Sequence, residues 1–289
     1  MQCIVKMMHC MMESVTRNAP TMGCTDMVSP MSDKDPGRAR FRHLADQLRA
    51  SIRDGTYPPR TKLPTDAELA AGLGTNRGTV GQALRLLEAE GLVSKSRQGT
   101  VVSPLVEKIY RDSTSRYGRQ KREAGQARGA FAAELRALGM TPRSTTEVER
   151  TVPPARVAEL LGVDPGSAST VARARQMFAD DTPVQLATSY FPLEIAGETR
   201  LEELDTGPGG SKSRLSELGF GQASVTEEID VRAPLPEEAQ ALGMAEDQRV
   251  YQITHIARTE EGRAVEVAVH VMPTHLWRLA YTWELGPEN

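Results

Sequence analysis

Residues 41–102 carry the most regular pattern of apolar and polar positions in the chain. Apolar side chains recur from Phe41 to Ile52 at the spacing of one helical face, and Gly55 follows as a stop. This pattern predicts a first helix that buries one face in a small domain.

Two further helices and a hairpin follow the first helix. In LPTDAELA, Thr65 and Glu68 stand three residues apart, which predicts a capping box at the start of a second helix. Thr75 is placed to cap a third helix that runs to about Glu90. The run GLVSKSRQGTVV predicts two short strands around a basic turn. Three short helices and a basic hairpin indicate a winged helix-turn-helix, which fits the DNA major groove.

The third helix is the element expected to read DNA, because its first turn is polar and its apolar side chains are spaced for burial. An arginine there can contact a guanine edge or a phosphate, and a glycine in the wing lets the backbone approach the nucleic acid. The residues that this interpretation places at DNA are Asn76, Arg77, Thr79, Lys95, Arg97 and Gly99.

The charge of the chain is distributed unevenly between its front and its back. Residues 38–103 carry 11 Lys and Arg against 6 Asp and Glu, and residues 104–128 carry 7 against 3. Residues 129–289 carry 14 against 25, so the overall net charge of −3 hides a basic front half and an acidic back half. The front half can neutralise phosphates and the back half would be repelled by them, which indicates separate functions.

Residues 41–102 resemble the amino-terminal domain of the GntR superfamily of bacterial regulators, through TYPPRTKLPTDAELA, TNRGTVGQALRLLEAEGLV and RQGT. The resemblance implies that Thr65 and Asp66 lie near the DNA backbone, and that Gly99 and Thr100 form the wing tip. Gly81 stands where the family usually has Arg, and the wing reads RQGT where Gly-x-Gly-Thr is common. The operator sequence is therefore not predicted from relatives.

Residues 1–37 hold all three cysteines of the chain and are predicted to be a disordered extension. Translation from an upstream start codon, with the natural start at Met27 or Met31, would account for such an extension. Because no cysteine follows residue 24, no disulfide is expected beyond it, and this usage fits a reducing cytoplasm. The sequence contains no run of about 18 apolar residues, so a membrane-spanning helix is not predicted. A metal site from Cys3, His9, Cys10 and Cys24 would match no common zinc spacing, so neither a metal nor a cofactor is predicted.

The back half of the chain, residues 129–289, predicts strands joined mainly by hairpins, with short helices between them. One hairpin turns at residues 180–183 and another at residues 261–262, and HLWRLAYTWEL is predicted to be a final strand. Residues 104–128 are predicted to be a basic linker that touches DNA or folds over the second domain. The predicted fold class is α+β in two domains, a winged helix-turn-helix at residues 38–103 followed by a domain with an antiparallel sheet.

This second domain resembles the ligand-sensing UTRA domain of the HutC subfamily, which has a chorismate-lyase-like fold. The resemblance rests on RAR, then DTP, then SYFP, and on a glycine and a glutamate in the last hairpin. It implies a polar or anionic small-molecule effector. Arg173 and Arg175 alternate along a strand and so share one face, where two guanidinium groups bind carboxylate or phosphate well. The residues that the resemblance assigns to the effector are Arg173, Arg175, Ser189, Tyr190, Ser213 and Glu266.

The end of the chain departs from the family, because Trp277 and Trp283 replace its common Arg-x-Asp-Arg-Tyr ending. Both tryptophans are predicted to be core residues rather than a platform for a sugar ring. The predicted function is an effector-responsive transcriptional regulator, acting as a repressor. The family resemblance implies homodimerisation through the second domain, and a two-fold protein matches a palindromic double-stranded DNA operator. Two alternatives stay open, a regulator whose sensor domain binds no ligand and a lyase-like enzyme. No set of catalytic residues supports the enzyme, since His255, His270 and His275 are separated and predicted to be structural.

Overall fold

The computed structural model describes residues 36–112, 130–207, 209–245 and 247–283. The chain divides into two compact units, with residues up to Lys108 in the first and nearly all those from Ile109 onward in the second. The predicted extension lies almost wholly outside the described residues, as do residues 113–128 of the predicted linker. The cysteines and the histidine considered above as metal ligands also lie outside them.

The first unit contains the three helices and the hairpin that the sequence predicts. They are α1 (Pro36–Arg53), α2 (Asp66–Gly72), α3 (Arg77–Ala89), β1 (Val93–Ser96) and β2 (Gly99–Val102). The capping box at Thr65 is confirmed, since Thr65 Oγ1 accepts from the Glu68 backbone and the Glu68 carboxylate accepts from the Thr65 backbone. The predicted cap of α3 is wrong by one residue. Asn76, not Thr75, caps the helix, because its Oδ1 accepts from Thr79 N at 2.9 Å.

A single apolar core holds the first unit together. Leu48 and Ile52 of α1 pack with Leu84 and Leu87 of α3, and all four are at most 4% exposed. Burying side chains of this size stabilises a domain by roughly 1.5–3 kcal/mol each relative to full exposure. The helix that presents the turn predicted to contact DNA is therefore fixed by its own apolar face.

The second unit is built on a six-stranded sheet whose neighbouring strands are all antiparallel, in the order β4-β5-β6-β9-β8-β7. Its elements are β3 (Ile109–Asp112), α4 (Ala130–Ala137), β4 (Pro142–Thr151), α5 (Ala155–Leu161), β5 (Thr170–Ala179), β6 (Thr182–Pro192), α6 (Leu193–Ala196), a 3-10 turn (Arg200–Glu202), α7 (Gly210–Glu217), β7 (Ser224–Arg232), α8 (Pro236–Leu242), β8 (Val250–Arg258), β9 (Ala264–Pro273) and β10 (Trp277–Ala280).

The two faces of this sheet are covered by different helices. On one face, which we call the helix face, Ala172 and Val269 pack with Val157 of α5 and Leu242 of α8. On the opposite face, which we call the polar face, one end is covered by α6, the 3-10 turn and α7, packed on apolar side chains that include Phe191. The centre of the polar face carries Arg173, Arg175 and Ser189, three of the residues predicted to bind an effector.

The start of the predicted linker belongs to the second unit. Ile109–Asp112 forms β3, which pairs in parallel with β10, the strand predicted at the end of the chain. The linker interpretation is therefore wrong for these four residues. Apolar periodicity could not reveal β3, because a strand of four residues alternates only twice and its partner is more than 160 residues away.

The two tryptophans have opposite environments. Trp277 is fully buried, donates from Nε1 to the Val184 carbonyl at 2.7 Å and packs near the Phe131 ring. Trp283 is 76% exposed and stacks on Tyr281, so the prediction that it is a core residue is wrong. Trp283 lies three residues after the end of β10, and amino-acid composition alone does not show where a core strand ends.

None of the described helices is long and apolar enough to cross a membrane. Within the described ranges, no group of three or more His, Cys, Asp and Glu side chains is arranged to hold a metal ion.

Candidate nucleic-acid interface and ligand site

The start of α3 presents an exposed arginine on a well-fixed helix end. Arg77 is the first residue of α3 and is exposed, while Val80 one turn later is fully buried. The Asn76 Oδ1 also accepts from Thr79 Oγ1 at 3.2 Å, so these two predicted DNA contacts are tied to one another. Asn76 thus has a structural function as the helix cap, and Arg77 is the long side chain of this turn that reaches outward.

The wing is a two-residue hairpin with its basic side chains at the tip. Ser96 stands opposite Gly99, and Arg97 and Gln98 form the turn between them. The Lys95 ammonium lies 3.3 Å from the Asp66 carboxylate, so two residues predicted to contact DNA pair with each other. This ion pair joins the wing to Asp66, the first residue of α2. Arg97 is the basic residue in the turn of the wing itself.

Lys62 is a basic residue of this surface that sequence reasoning missed. Its aliphatic end lies across Gly99, where an added Cβ would come within 2.5 Å of Lys62 Cε. Gly99 also has φ +122°, a conformation that favours glycine. Lys62 could have been found from its place within TYPPRTKLPTDAELA, three residues before Thr65, which the resemblance puts near the DNA backbone.

Two predicted contacts of the first unit have other functions. Thr65 and Glu68 are occupied in the capping box, and the hydrogen bonds from Thr65 hold the pKa of the Glu68 carboxyl below its usual range. Thr100 is only 5% exposed and its carbonyl accepts from Leu63 N. A direct contact between the Thr100 side chain and DNA does not agree with this burial, which follows from the inward direction of alternate residues in β2.

In the second unit, strand register places a row of residues across the polar face. Arg173 stands opposite Ser189, Ser189 opposite Ala268, Ala268 opposite His255, and His255 opposite Glu227. Because directly opposed residues point to the same face, these five side chains share the polar face. Polar groups thus surround a small alanine at the centre of the sheet.

Arg175 and Ser189 form the hydrogen-bonded part of this site. Arg175 Nη2 donates to Ser189 Oγ at 3.0 Å, and Ala187 lies directly opposite Arg175. Ala187 and Ala268 are both small, so the floor between the polar side chains carries no bulky group. Ala187, Ser189 and Ala268 are at most 2% exposed, and the guanidinium and hydroxyl groups beside them are of the kind that bind a small polar or anionic molecule.

Arg173 is held by a loop in this structure. Its guanidinium donates to the carbonyl oxygens of Leu201, Glu203 and Leu204, with Nη2 of Arg173 3.0 Å from the last of these. Burial lowers the pKa of Arg173, and the neighbouring charge of Arg175 lowers it further. The three carbonyls provide neutral acceptors, and the nearby charges of Asp205 and Glu266 partly offset the lowering of the pKa of Arg173.

Glu266 and Ser213 complete the predicted set from other elements. Glu266 is 7% exposed, accepts from Gln222 Nε2 at 2.7 Å, and its charge acts on Arg173. Ser213 is half-buried on α7, which covers the polar face, and its Oγ lies against Gly209, where an added Cβ would come within 1.9 Å. The structure therefore places both on the same side of the sheet as the two arginines.

Tyr190 is the predicted effector residue that the structure places elsewhere. It is 1% exposed and packs in the apolar cluster of the helix face, and burial raises the pKa of its hydroxyl. The prediction is wrong because Tyr190 follows Ser189 directly, and consecutive residues of a strand point to opposite faces.

A second polar cluster on the polar face was not predicted. The Arg111 guanidinium of β3 forms a two-point ion pair with Glu227 of β7, and their side chains are 1% and 5% exposed. Tyr281 donates to the same carboxylate at 2.8 Å, and His255 Nδ1 lies 3.6 Å from it. His270 contacts the His255 ring edge-on and bonds to Gln185, so both histidines have structural partners.

Comparisons with known proteins match both units. A model described as bacterial regulatory proteins, gntR family, matches residues 41–102, and a UTRA domain model matches residues 137–276. An uncharacterised HTH-type transcriptional regulator of Streptomyces coelicolor is 35% identical over 82% of this chain and 89% of its own length. The HTH-type transcriptional repressor NagR of Bacillus subtilis is 28% identical over 80% of this chain and 89% of its own length.

Solved structures match the same architecture. One, described as a GntR-family transcriptional regulator, is 27% identical with a TM-score of 0.54, over 86% of this chain and 98% of that one. PhnF from Mycobacterium smegmatis is 18% identical with a TM-score of 0.51, over 86% of this chain and all of that one, and supports the fold alone.

Proposed function

We propose that this chain, which belongs to the gntR family of bacterial regulatory proteins, is a sequence-specific homodimeric repressor modulated by a small-molecule effector. The coarser part of this statement follows from the family. The chain is a transcriptional regulator with a helix-turn-helix domain and a UTRA domain, and its relatives are regulators rather than enzymes. Repression, dimerisation and the effector are the proposal.

Selective DNA binding is supported by the exposed arginine at the start of α3. A guanidinium at the first turn of a recognition helix can bond two acceptors of a guanine edge at once. Arg97 and Lys62 at the wing add positive charge for phosphates. A homodimer would present two such helices to the two halves of a palindromic operator, and the related protein NagR is itself a repressor.

The observation that supports the effector proposal is the hydrogen bond from Arg175 to Ser189, on a part of the sheet where the neighbouring side chains are alanines. A carboxylate or phosphate of the ligand would accept from Arg175 and from the Ser189 hydroxyl, with Arg173 as the second cation. Glu266, on the same face, would accept from a hydroxyl or amine of the ligand. The expected class is therefore an anionic molecule that also carries hydrogen-bond donors.

The structure of the loop around Leu201 suggests how such a ligand would act. A bound anion competes with three backbone carbonyls for Arg173, because a charged acceptor bonds more strongly than a neutral one. Arg173 would then release the loop of residues 201–204. The same loop is also held to β4 by the ion pair of Glu202 with Arg150. The ligand would bind more tightly to the state in which the loop is released, and would therefore increase the population of that state. Regulation by a ligand requires such a difference in affinity between two states.

DNA binding is tested by a gel-shift and footprinting experiment on fragments from the upstream region of the gene itself. We expect one protected site with two related halves, and an affinity that falls steeply as salt is raised from 50 to 200 mM, as counterion release requires. Retardation that is equal for all fragments would contradict the proposal. Protection that no ligand in an effector screen changes would favour the regulator without a working sensor.

The effector site is tested by thermal shift on the whole protein, with carboxylic acids, phosphorylated sugars and amino acids as candidates. We expect one anionic class to raise the melting temperature, since a ligand at 100 times its Kd adds about 2.7 kcal/mol to stability. Replacing Arg175 with Gln should weaken that ligand about tenfold to a hundredfold, which is the effect of losing a charged hydrogen bond.

The matched control for Arg175→Gln is Arg278→Gln, since Arg278 is an exposed cation of β10 on the same unit. It should leave the ligand affinity unchanged, and both variants should unfold near the wild-type temperature without ligand. Equal loss of affinity in the two variants would show that general charge, and not this site, attracts the ligand.

A further inference from the structure

The six-stranded sheet of the second unit has two outer strands, β4 and β7. In the part of the chain that the structure describes, no strand pairs with the outer side of either. An outer strand presents a row of backbone N–H and C=O groups that can pair with another strand. A homodimer of this chain would have two such edges available on each copy.

The β4 edge is long and has no proline in its interior. It runs for ten residues, and proline occurs only at its first position, Pro142. Thr145, Thr146 and Val148 are β-branched, which favours extended backbone. Most of its side chains are exposed or half-buried, and its charges are of both signs.

We propose that β4 pairs antiparallel with β4 of a second copy, with Thr146 opposite its own equivalent on the two-fold axis. In this register Arg143 of each copy stands opposite Glu149 of the other, so two ion pairs form on one face of the joined sheet. Ser144 meets Val148, and no like charges are opposed over residues 142–150. The inference rests on the proposed homodimer and specifies its surface.

Charge or strand length disfavours the neighbouring registers in which directly opposed residues point to the same face of the sheet. An axis at Glu147 opposes two glutamates, and an axis at Val148 brings Glu147 opposite Glu149. An axis at Thr145 pairs Arg143 with Glu147 but joins only residues 142–148. Like charges directly opposed destabilise a strand pair, so the Thr146 register is the longest one without a penalty.

The β7 edge is less suited to self-pairing. An axis at Glu228 opposes that carboxylate to itself, and an axis at Ile229 brings Glu228 opposite Asp230. The Glu228 carboxylate also forms an ion pair at 3.2 Å with Arg156 of the same chain. Acidic side chains on an outer strand are a known means of preventing edge pairing.

The proposed surface adjoins the loop that Arg173 holds. Leu204 is 69% exposed, although its carbonyl is bonded to Arg173 of the strand next to β4. Arg150 of β4 binds Glu202 of the same loop. An effector that changed this loop would therefore act directly beside the contact between the two copies.

A charge-exchange experiment on the whole protein tests the register, with the dimer dissociation constant measured by analytical ultracentrifugation. Arg143→Glu and Glu149→Arg should each weaken the dimer about tenfold, because each creates two like-charge pairs. The double variant should restore the wild-type constant. Arg278→Glu, an equal change of charge on exposed β10, should have no effect.

Disulfide formation gives an independent measurement in protein whose Cys3, Cys10 and Cys24 are replaced by Ser. Directly opposed Cα atoms in an antiparallel pair lie about 4.5–5.5 Å apart, within the range that a disulfide spans. Thr146→Cys should give a cross-linked dimer on oxidation, and Thr226→Cys on exposed β7 should not.

The outcomes separate the surface from the proposed function. A wild-type protein that is monomeric at micromolar concentration would overturn both the homodimer and this surface. A wild-type dimer that the charge variants leave intact, or that cross-links through Thr226 instead of Thr146, would overturn the surface and leave the homodimer standing.

Discussion

Replacing Arg77 with Ala is expected to abolish selective DNA binding while leaving the fold intact. Arg77 is exposed at the first turn of α3, whereas the buried side chains of this helix, which include Val80, Leu84 and Leu87, begin one turn further along. Losing a two-point contact with a guanine costs about 1–3 kcal/mol for each half-site. Two half-sites double that loss, so affinity for the operator should fall at least thirtyfold toward the nonspecific level.

The measurement is a titration of operator and unrelated DNA at two salt concentrations, with circular dichroism to confirm the fold. Arg85→Ala is the matched control, because Arg85 is an exposed arginine of the same helix two turns further on. It removes the same charge and should lower both affinities by a similar small factor. If Arg77→Ala still gives the wild-type footprint, α3 is not the reading helix.

The first unit was predictable from sequence because its determinants are local. Helix faces repeat within a few residues, and the Thr65 and Glu68 box is complete within four positions. The error at the start of α3 is also local. Thr75 and Asn76 are both good caps, and the choice between them depends on which backbone N–H each side chain reaches.

The ligand site was predicted in part, for reasons that follow from strand geometry. Alternation placed Arg173 and Arg175 on one face, and the register confirms that they share it. The same rule should have removed Tyr190, because it is adjacent to Ser189. The loop that occupies Arg173 could not be predicted, since its carbonyls belong to residues about 30 positions away and carry no sequence signature.

The ion pair of Arg111 with Glu227 shows the limit of sequence reasoning most clearly. Its two residues are 116 positions apart, and Arg111 stands in a stretch whose basic composition predicts a linker. A buried pair of this kind is costly to desolvate, so it contributes little when intact and much when one partner is lost. It also joins β3 to the outer strand β7, and thus fixes the start of the second unit to its sheet.

Replacing Arg111 with Met is therefore expected to destabilise the second unit by about 3–5 kcal/mol, because it leaves the Glu227 carboxylate buried without its guanidinium. For a unit of this size, that loss lowers the melting temperature by roughly 10 °C. Urea unfolding of the whole protein, followed by fluorescence of Trp277 and Trp283, measures the change. Arg263→Met is the matched control, because the Arg263 pair with Glu194 is exposed and should contribute at most about 1 kcal/mol.

The double variant Arg111→Met with Glu227→Leu distinguishes lost charge compensation from lost packing. If the penalty of the single variant comes from an uncompensated buried carboxylate, removing that carboxylate should recover most of the lost stability, to within about 1–2 kcal/mol of wild type. Tyr281 would lose its acceptor, which accounts for a small remaining deficit. A double variant as unstable as Arg111→Met alone would show that the Arg111 side chain stabilises β3 by its packing, and that the charge of Glu227 is not the reason for the loss.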